Sequence, residues 1–563
     1  LTAARRRGVL ALVVAAALGA ALLVWSPWSG SSEGRDSAGA GGRSREAAGS
    51  SSTAGGRGAA STTRPAGIEG GTVRLGLAGG LVVDPPYSSS ASPSDLMVLD
   101  LLYDGLTQMS GSGASAAPAP AVALSWEPDA AQRVWRFHLD PGATFASGRP
   151  IQATDVVASL EHVIAAGDAS PAALRLEGVH GFREYLDGAA PGVAGLRRVD
   201  DLTVEISLDS PMAQLPAVLA APPYGIVDVR GLAQRGPDAP MADQAALDTS
   251  GSWQVDAAGS EGLRLRRRAG AGGHLDAIEL RPYKDVDAAF DAFREGRVDW
   301  APVPSARFGE AVDDYGAGAF APFQAVLLLG LRADGPVLSK PEVRQAIAAA
   351  LDRAAIVKAV YPDAAVRLDS IVPRGVGAAS DGAISFDPDR ARALVRAAFP
   401  GGSVPTVDLD YDTSPATEAL MALVAKSLDD VGIPTDKHPV GLADYQRLLV
   451  RGEQQVFALS WLGGYRSPDA YLDPLLRSSS PDNLVGLRDP GVDAALAAAR
   501  ASADPAVAAS RWQEVERSAL SSAVLIPIAQ LRTEVVVSPG ILGLRHEVDG
   551  SVDWSAVQLA ATR

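Results

Sequence analysis

No cysteine occurs among the 563 residues. That absence excludes disulfides, thiol nucleophiles, cysteine-ligated metals and a lipid-bearing cysteine. Histidine is scarce: His138, His162, His180, His274, His438 and His546 are all there are, and none pair at i, i+4. Each is expected at the surface or a boundary. The nucleotide-cradling G-x-x-x-x-G-K-[ST] loop and the H-E-x-x-H helix are missing, and no nucleophile elbow stands at a strand-to-helix turn. No catalytic residue, metal or cofactor is therefore expected. Acidic pairs such as Asp200-Asp201 and Asp313-Asp314 are read as solvated turns. Positive charge is in deficit, with 50 Lys and Arg against 66 Asp and Glu and a net charge of −16. A nucleic-acid partner needs the opposite sign, so none is expected.

What is present is apolar mass. Hydrophobic residues make up 47% of the chain, enough to bury a core in each of several units. The first such run comes early. Arg5, Arg6 and Arg7 precede the uncharged stretch from Gly8 to Trp25. At about 1.5 Å per residue it would span roughly the hydrocarbon thickness of a bilayer. Basic residues before it favour a cytoplasmic N-terminal side, and Trp25 and Trp28 sit where interfacial aromatics would. A retained anchor, a secretory signal and a buried helix all stay open, as does an internal crossing of a longer protein, since residue 1 is Leu. From Ser29 to about Gly67 the chain is Gly, Ser, Ala, Thr and Arg, too poor in bulky side chains to offset its backbone entropy. It reads as a flexible spacer.

Beyond Gly70-Gly71 strands and helices alternate, which implies mixed α/β layers. Strands are expected at 72–77, 134–139, 202–208, 278–281, 325–331, 406–411, 456–461 and 524–528. Helices are expected at 95–106, from a Thr154 cap onward, and at 286–294, 341–360, 389–398, 417–431 and 504–521. The segment 111–120 reads as a loop.

One corner stands out chemically. A strand ends in Trp461, Gly463 and Gly464 open a loop, Tyr465 follows, and Pro468 and Asp469 start a helix. Glycines allow close backbone approach, and Trp and Tyr offer stiff amphipathic contact area. Ligand contact and plain core packing both fit.

Several segments, in order, resemble a known family. Gly70-Gly71-Thr72-Val73-Arg74 with Asp84-Pro85 is similar to its first strand and turn, and Leu102-Tyr103-Asp104-Gly105-Leu106 to its "YEGL" motif. Trp135 through Phe145 and Ser147-Gly148 to Ser159-Leu160 is the longest match. Val343-Arg344-Gln345-Ala346 to Asp352-Arg353 and Asp489-Pro490-Gly491-Val492-Asp493 add to it. The family is the bacterial extracellular solute-binding proteins of the peptide/nickel ABC importers, family 5. The resemblance implies an α/β fold, two-lobed and periplasmic-binding-protein-like (type II), with an extra subdomain in the first lobe. A transmembrane or signal segment (1–28) and a disordered linker (29–69) would precede it. Lobe 1 would take 70–118, 200–324 and 523–563, the subdomain 119–199 and lobe 2 325–522.

The implied function is capture of a small molecule or short peptide by hinge closure, without chemistry, and delivery to a membrane permease. The protein is expected to be a monomer held outside the cytoplasm by residues 8–25. The alternative is a membrane-tethered sensor. The ligand contacts expected are Trp461, Gly463, Gly464, Tyr465, Asp84 and Arg332; Arg332 departs from the family's pattern and fits either an anionic ligand group or solvent. In peptide-binding members an Asp in a loop beginning "GWxxDYxDP" pairs with the ligand's amino group. Gly464 occupies that position, which leaves the ligand class open.

Overall fold

The computed structural model describes residues 66–561, apart from 86–92, 112, 168–169, 229, 231–246, 378–383 and 548. The apolar run 8–25 and nearly all of the spacer lie outside the described residues. Among those described, no helix is long and apolar enough to cross a membrane.

Two six-stranded sheets define the lobes. In lobe 1 the order is Val535–Val537, Trp300–Pro302, Thr72–Ala78, Ala277–Tyr283, Gly262–Arg267, Trp253–Gly259. Thr72–Ala78 lies parallel to both of its neighbours, so Val73, Leu75 and Leu77 are buried at the centre. In lobe 2 the order is Ala365–Arg367, Leu525–Arg532, Pro322–Leu331, Val456–Leu462, Val407–Asp412, Thr435–Val440. Its central strand Pro322–Leu331 is buried at every position but the first, as its unbroken apolar run requires. A four-stranded antiparallel sheet forms the extra subdomain, ordered Ala123–Pro128, Val134–Leu139, Thr203–Ser207, Leu196–Asp200. The sheet therefore reaches Ser207, past the expected boundary at 199. Likewise Leu525–Arg532 belongs to the lobe 2 sheet, so the return to lobe 1 comes later than 523.

Buried apolar residues of the subdomain and of lobe 2 form one continuous cluster, from Phe137 and Leu160 through Val326, Tyr465 and Leu525. Lobe 1 keeps its own, around Leu75, Leu99, Trp300 and Leu559. The chain passes between lobe 1 and lobe 2 on two adjacent segments. There the Thr533 N–H donates to the Ala321 carbonyl at 2.7 Å, and the Ala321 N–H to Thr533 Oγ1 at 3.1 Å.

Local chemistry explains where the elements depart from expectation. The stretch 341–360 is two helices, Pro341–Ala350 and Arg353–Val360, because the Asp352 carboxylate accepts from the Ala355 N–H and starts a new one. The helix after the first strand stops at Leu102, not 106. Gln152, not Thr154, caps Ala153–Ala165, and the Asp155 carboxylate accepts from the Gln152 N–H at 2.9 Å. The expected loop 111–120 contains the strand Ala117–Pro120, paired with Thr107–Ser110.

Next to the interlobe crossing, Ser305 Oγ donates to Glu534 at 2.8 Å, and burial pushes that carboxyl up to about 7 from its ordinary 4.5. The folded chain then holds a proton that the unfolded chain has released between these two values. Stability must fall as pH rises through that window. Glu534→Gln removes the cost. It should raise stability by up to about 3 kcal/mol at pH 8 and leave it unchanged at about pH 4, read from urea unfolding at both.

Candidate ligand site between the lobes

Strand Val456–Leu462 carries Trp461 to the edge of lobe 2, opposite Val326 in the antiparallel pair. The loop that follows turns into helix Asp469–Leu476. Its geometry is pinned from inside. The Trp461 indole N–H donates to the Ala470 carbonyl at 2.9 Å, the Tyr465 hydroxyl to Asp469 Oδ2 at 2.6 Å, and the Tyr471 hydroxyl to the Gln324 carbonyl at 2.6 Å. A side chain at Gly463 would stand 2.4 Å from the Tyr471 ring, so that glycine is demanded by packing.

This corner forms one wall of a cavity of about 490 Å³. Trp461, Tyr465, Asp469, Asp473, Arg477 and Arg500 come from lobe 2; Leu174, Arg175, Glu177 and Met212 come from the subdomain opposite. The lining is strongly charged, and most of that charge is internally matched. Arg477 lies 3.0 Å from Asp473 and 3.2 Å from Glu177 across the gap. Arg500 stands 3.5 Å from Asp469 and 3.7 Å from Asp473. Burial lowers the Arg500 guanidinium, but Asp469 and Asp473 outweigh it and the net direction is upward. Burial also pushes Asp469 up, with Arg500 opposing. The Arg500 carbonyl accepts from the Ala213 N–H at 2.8 Å, a second tie between subdomain and lobe 2.

A third tie reaches lobe 1. Arg466, its side chain only 3% exposed, lies 2.9 Å from Glu547 and 3.5 Å from Asp549. The lobe 1 side is acidic: burial pushes Asp100 up to about 7, with Asp549 and Asp104 adding to it. Arg466→Met removes the positive charge that the corner sets against Glu547 and Asp549. Solute binding should weaken about tenfold as the tie between the corner and lobe 1 is lost; calorimetry measures it, and unchanged affinity would contradict it.

The sequence-predicted contacts separate into two groups. Trp461 and Tyr465 reach the cavity wall, and Gly463 and Gly464 lie in the loop between them. Asp84 is elsewhere, 3% exposed and 2.8 Å from His162 Nε2 at the junction of lobe 1 and the subdomain. Arg332 follows the far end of Pro322–Leu331, six residues beyond Val326, or roughly 20 Å along the strand. It pairs with Asp334 at 2.7 Å and lines no part of the cavity. One histidine is also placed differently from expectation: His162 is buried. His546 keeps a boundary position, where its ring accepts from the Trp300 indole N–H at 2.9 Å and burial pulls it down. Among the described residues, no group of His, Asp and Glu is arranged to hold a metal. Arg175, Glu177 and Arg500 went unnoticed in the sequence, since nothing local marks an arginine or glutamate that becomes a wall only when two units meet.

Two lobes joined by adjacent crossings, with a cavity walled by side chains from both sides of the gap, define the class of two-lobed binding proteins. The profile described as "Bacterial extracellular solute-binding proteins, family 5 Middle" matches residues 117–483, and the chain belongs to that family. It is 22% identical over 482 residues to the periplasmic oligopeptide-binding protein OppA of Salmonella typhimurium, covering 81% of this chain and 87% of that one. It is 22% identical over 487 residues to the periplasmic murein peptide-binding protein MppA of Escherichia coli, covering 80% and 86%. Among solved structures, the unliganded open form of MppA superposes with a TM-score of 0.76 at 19% identity, covering 88% of this chain and 99% of that one. Haemophilus influenzae OppA in complex with RPPGFSPFR gives 0.64 at 16% identity, covering 88% and 100%. These superpositions agree with the fold described above.

Proposed function

We propose that the chain is the capture component of an ABC-type importer. It takes a short peptide or another small polar solute between its lobes and passes it to a membrane permease, with no chemistry on the way. The observation that carries this reading is the cavity of about 490 Å³ walled by both the subdomain and lobe 2. It is large enough for a compact solute and lined by an aromatic corner with charged flanks. The peptide-binding names of OppA and MppA support the ligand class. The absence of any coherent nucleophile-and-base arrangement in the sequence supports binding over catalysis. Residues 8–25 would tether a monomer whose folded body lies outside the cytoplasm. No observation favours the sensor alternative. Mass spectrometry of small molecules released from the purified chain tests the reading. A recurrent solute that raises the melting temperature on re-addition supports it, and a chain that carries and responds to none refutes it.

A further inference from the structure

We propose that Arg175 receives an oxyanion of the captured solute, so that the solute presents a carboxylate, and not an ammonium group, at the Gly464 loop. This deepens the capture reading and rests on it.

The geometry is specific. Gly464 has φ +31°, and a Cβ built there would lie 2.3 Å from Cζ and Nη2 of Arg175 and 2.6 Å from its Nε. The guanidinium of the subdomain is thus laid directly against the lobe 2 loop, in space that any side chain at 464 would take. An acidic residue there would consume Arg175 in an internal ion pair. Glycine leaves it available.

Availability is the second point. Four arginines line the cavity: Arg175, Arg183, Arg477 and Arg500. Arg477 and Arg500 face carboxylates at the distances given above, and Arg183 lies 3.8 Å from Glu177. Arg175 has none within 4.0 Å among the described residues. Its one hydrogen bond runs from Nη1 to the Pro171 carbonyl at 3.3 Å, long for such a contact. The acid that feels it most, Asp482, shares the cavity wall; burial pushes its carboxyl up to about 6 and Arg175 pulls it back. A half-buried guanidinium with most of its five donors unspent is a fork for a planar oxyanion, which it binds through two parallel N–H···O bonds.

Two probes separate the alternatives. N-acetyl-trialanine carries a carboxylate and no ammonium; trialanine amide carries an ammonium and no carboxylate. In calorimetric titration of the full chain, the acetylated probe should bind at least about tenfold tighter. Arg175→Gln should erase the preference and Arg175→Lys should restore part of it, with melting temperatures close to that of the parent. Equal binding, tighter binding of the amide, or a preference that survives in Arg175→Gln overturns the assignment. So does failure of both probes at millimolar concentration. In each of those cases the solute released from the purified chain, titrated into Trp461→Ala, still decides the capture reading separately: weakened binding keeps it, unchanged binding removes it. Inorganic phosphate as a third probe distinguishes a general anion site from a carboxylate site. Phosphate binding as tight as that of the acetylated peptide would overturn the carboxylate assignment.

Discussion

Arg353→Met is expected to cost about 3–5 kcal/mol of folding stability. The guanidinium is 4% exposed and has no access to water in compensation. It donates to the Leu368 and Pro527 carbonyls at 3.0 Å each and to the Ile384 carbonyl at 2.6 Å, and it stands 2.7 Å from Asp369. One side chain thus joins the start of helix Arg353–Val360 to the central sheet of lobe 2 and to the segment leading into helix Pro388–Ala398. Methionine fills part of the volume but takes the donor away from three carbonyls and leaves Asp369 with Arg367 alone, at 2.6 Å. Arg344 has a related task, donating to Ser522 and Leu338 carbonyls at 2.9 and 2.6 Å. The two arginines of the family-like segment 343–353 are therefore clamps on lobe 2 backbone, and neither lines the cavity. Urea denaturation gives the number, and a loss below about 1 kcal/mol would show that the network is relaxed or hydrated.

Trp461→Ala is expected to have the largest effect on binding, a loss of about 2–4 kcal/mol in affinity for the solute released from the purified chain. The ring is half-buried and its N–H is already spent on Ala470, which leaves its exposed face for contact. Removing it should cost the fold less than it costs binding, because the corner remains pinned by Tyr465–Asp469 and Tyr471–Gln324. Fluorescence titration and thermal melting of the same variant separate the two quantities. Equal losses in both would mean that Trp461 is packing alone.

The sequence was legible wherever local rules decide. Helix Val286–Arg294 appears with its expected bounds because the Asp285 carboxylate caps the Ala288 N–H and Phe290 and Phe293 face inward. Helix Pro505–Ser522 starts where Asp504 accepts from the Ala506 and Val507 N–H groups. Ala117–Pro120 was missed because alanine and proline carry no β-branched signal, and pairing with Thr107–Ser110 overrides composition. The site followed the same division. Trp461, Gly464 and Tyr465 are neighbours in sequence, so their common place at the corner could be read. Arg332 could not be judged without the antiparallel register, which sends it to the other end of its strand. Arg175 and Glu177 belong to a different unit, and only the meeting of the subdomain with lobe 2 brings them to the cavity.

Capture by closure requires movement, with the lobes swinging about the crossing where Thr533 and Ala321 are hydrogen-bonded. Small-angle X-ray scattering of the full chain, before and after the released solute is added back, tests it most directly. A smaller radius of gyration with solute, reached in Arg466→Met only at about tenfold higher solute, is the predicted result. Identical profiles in the presence of a solute that demonstrably binds would contradict it.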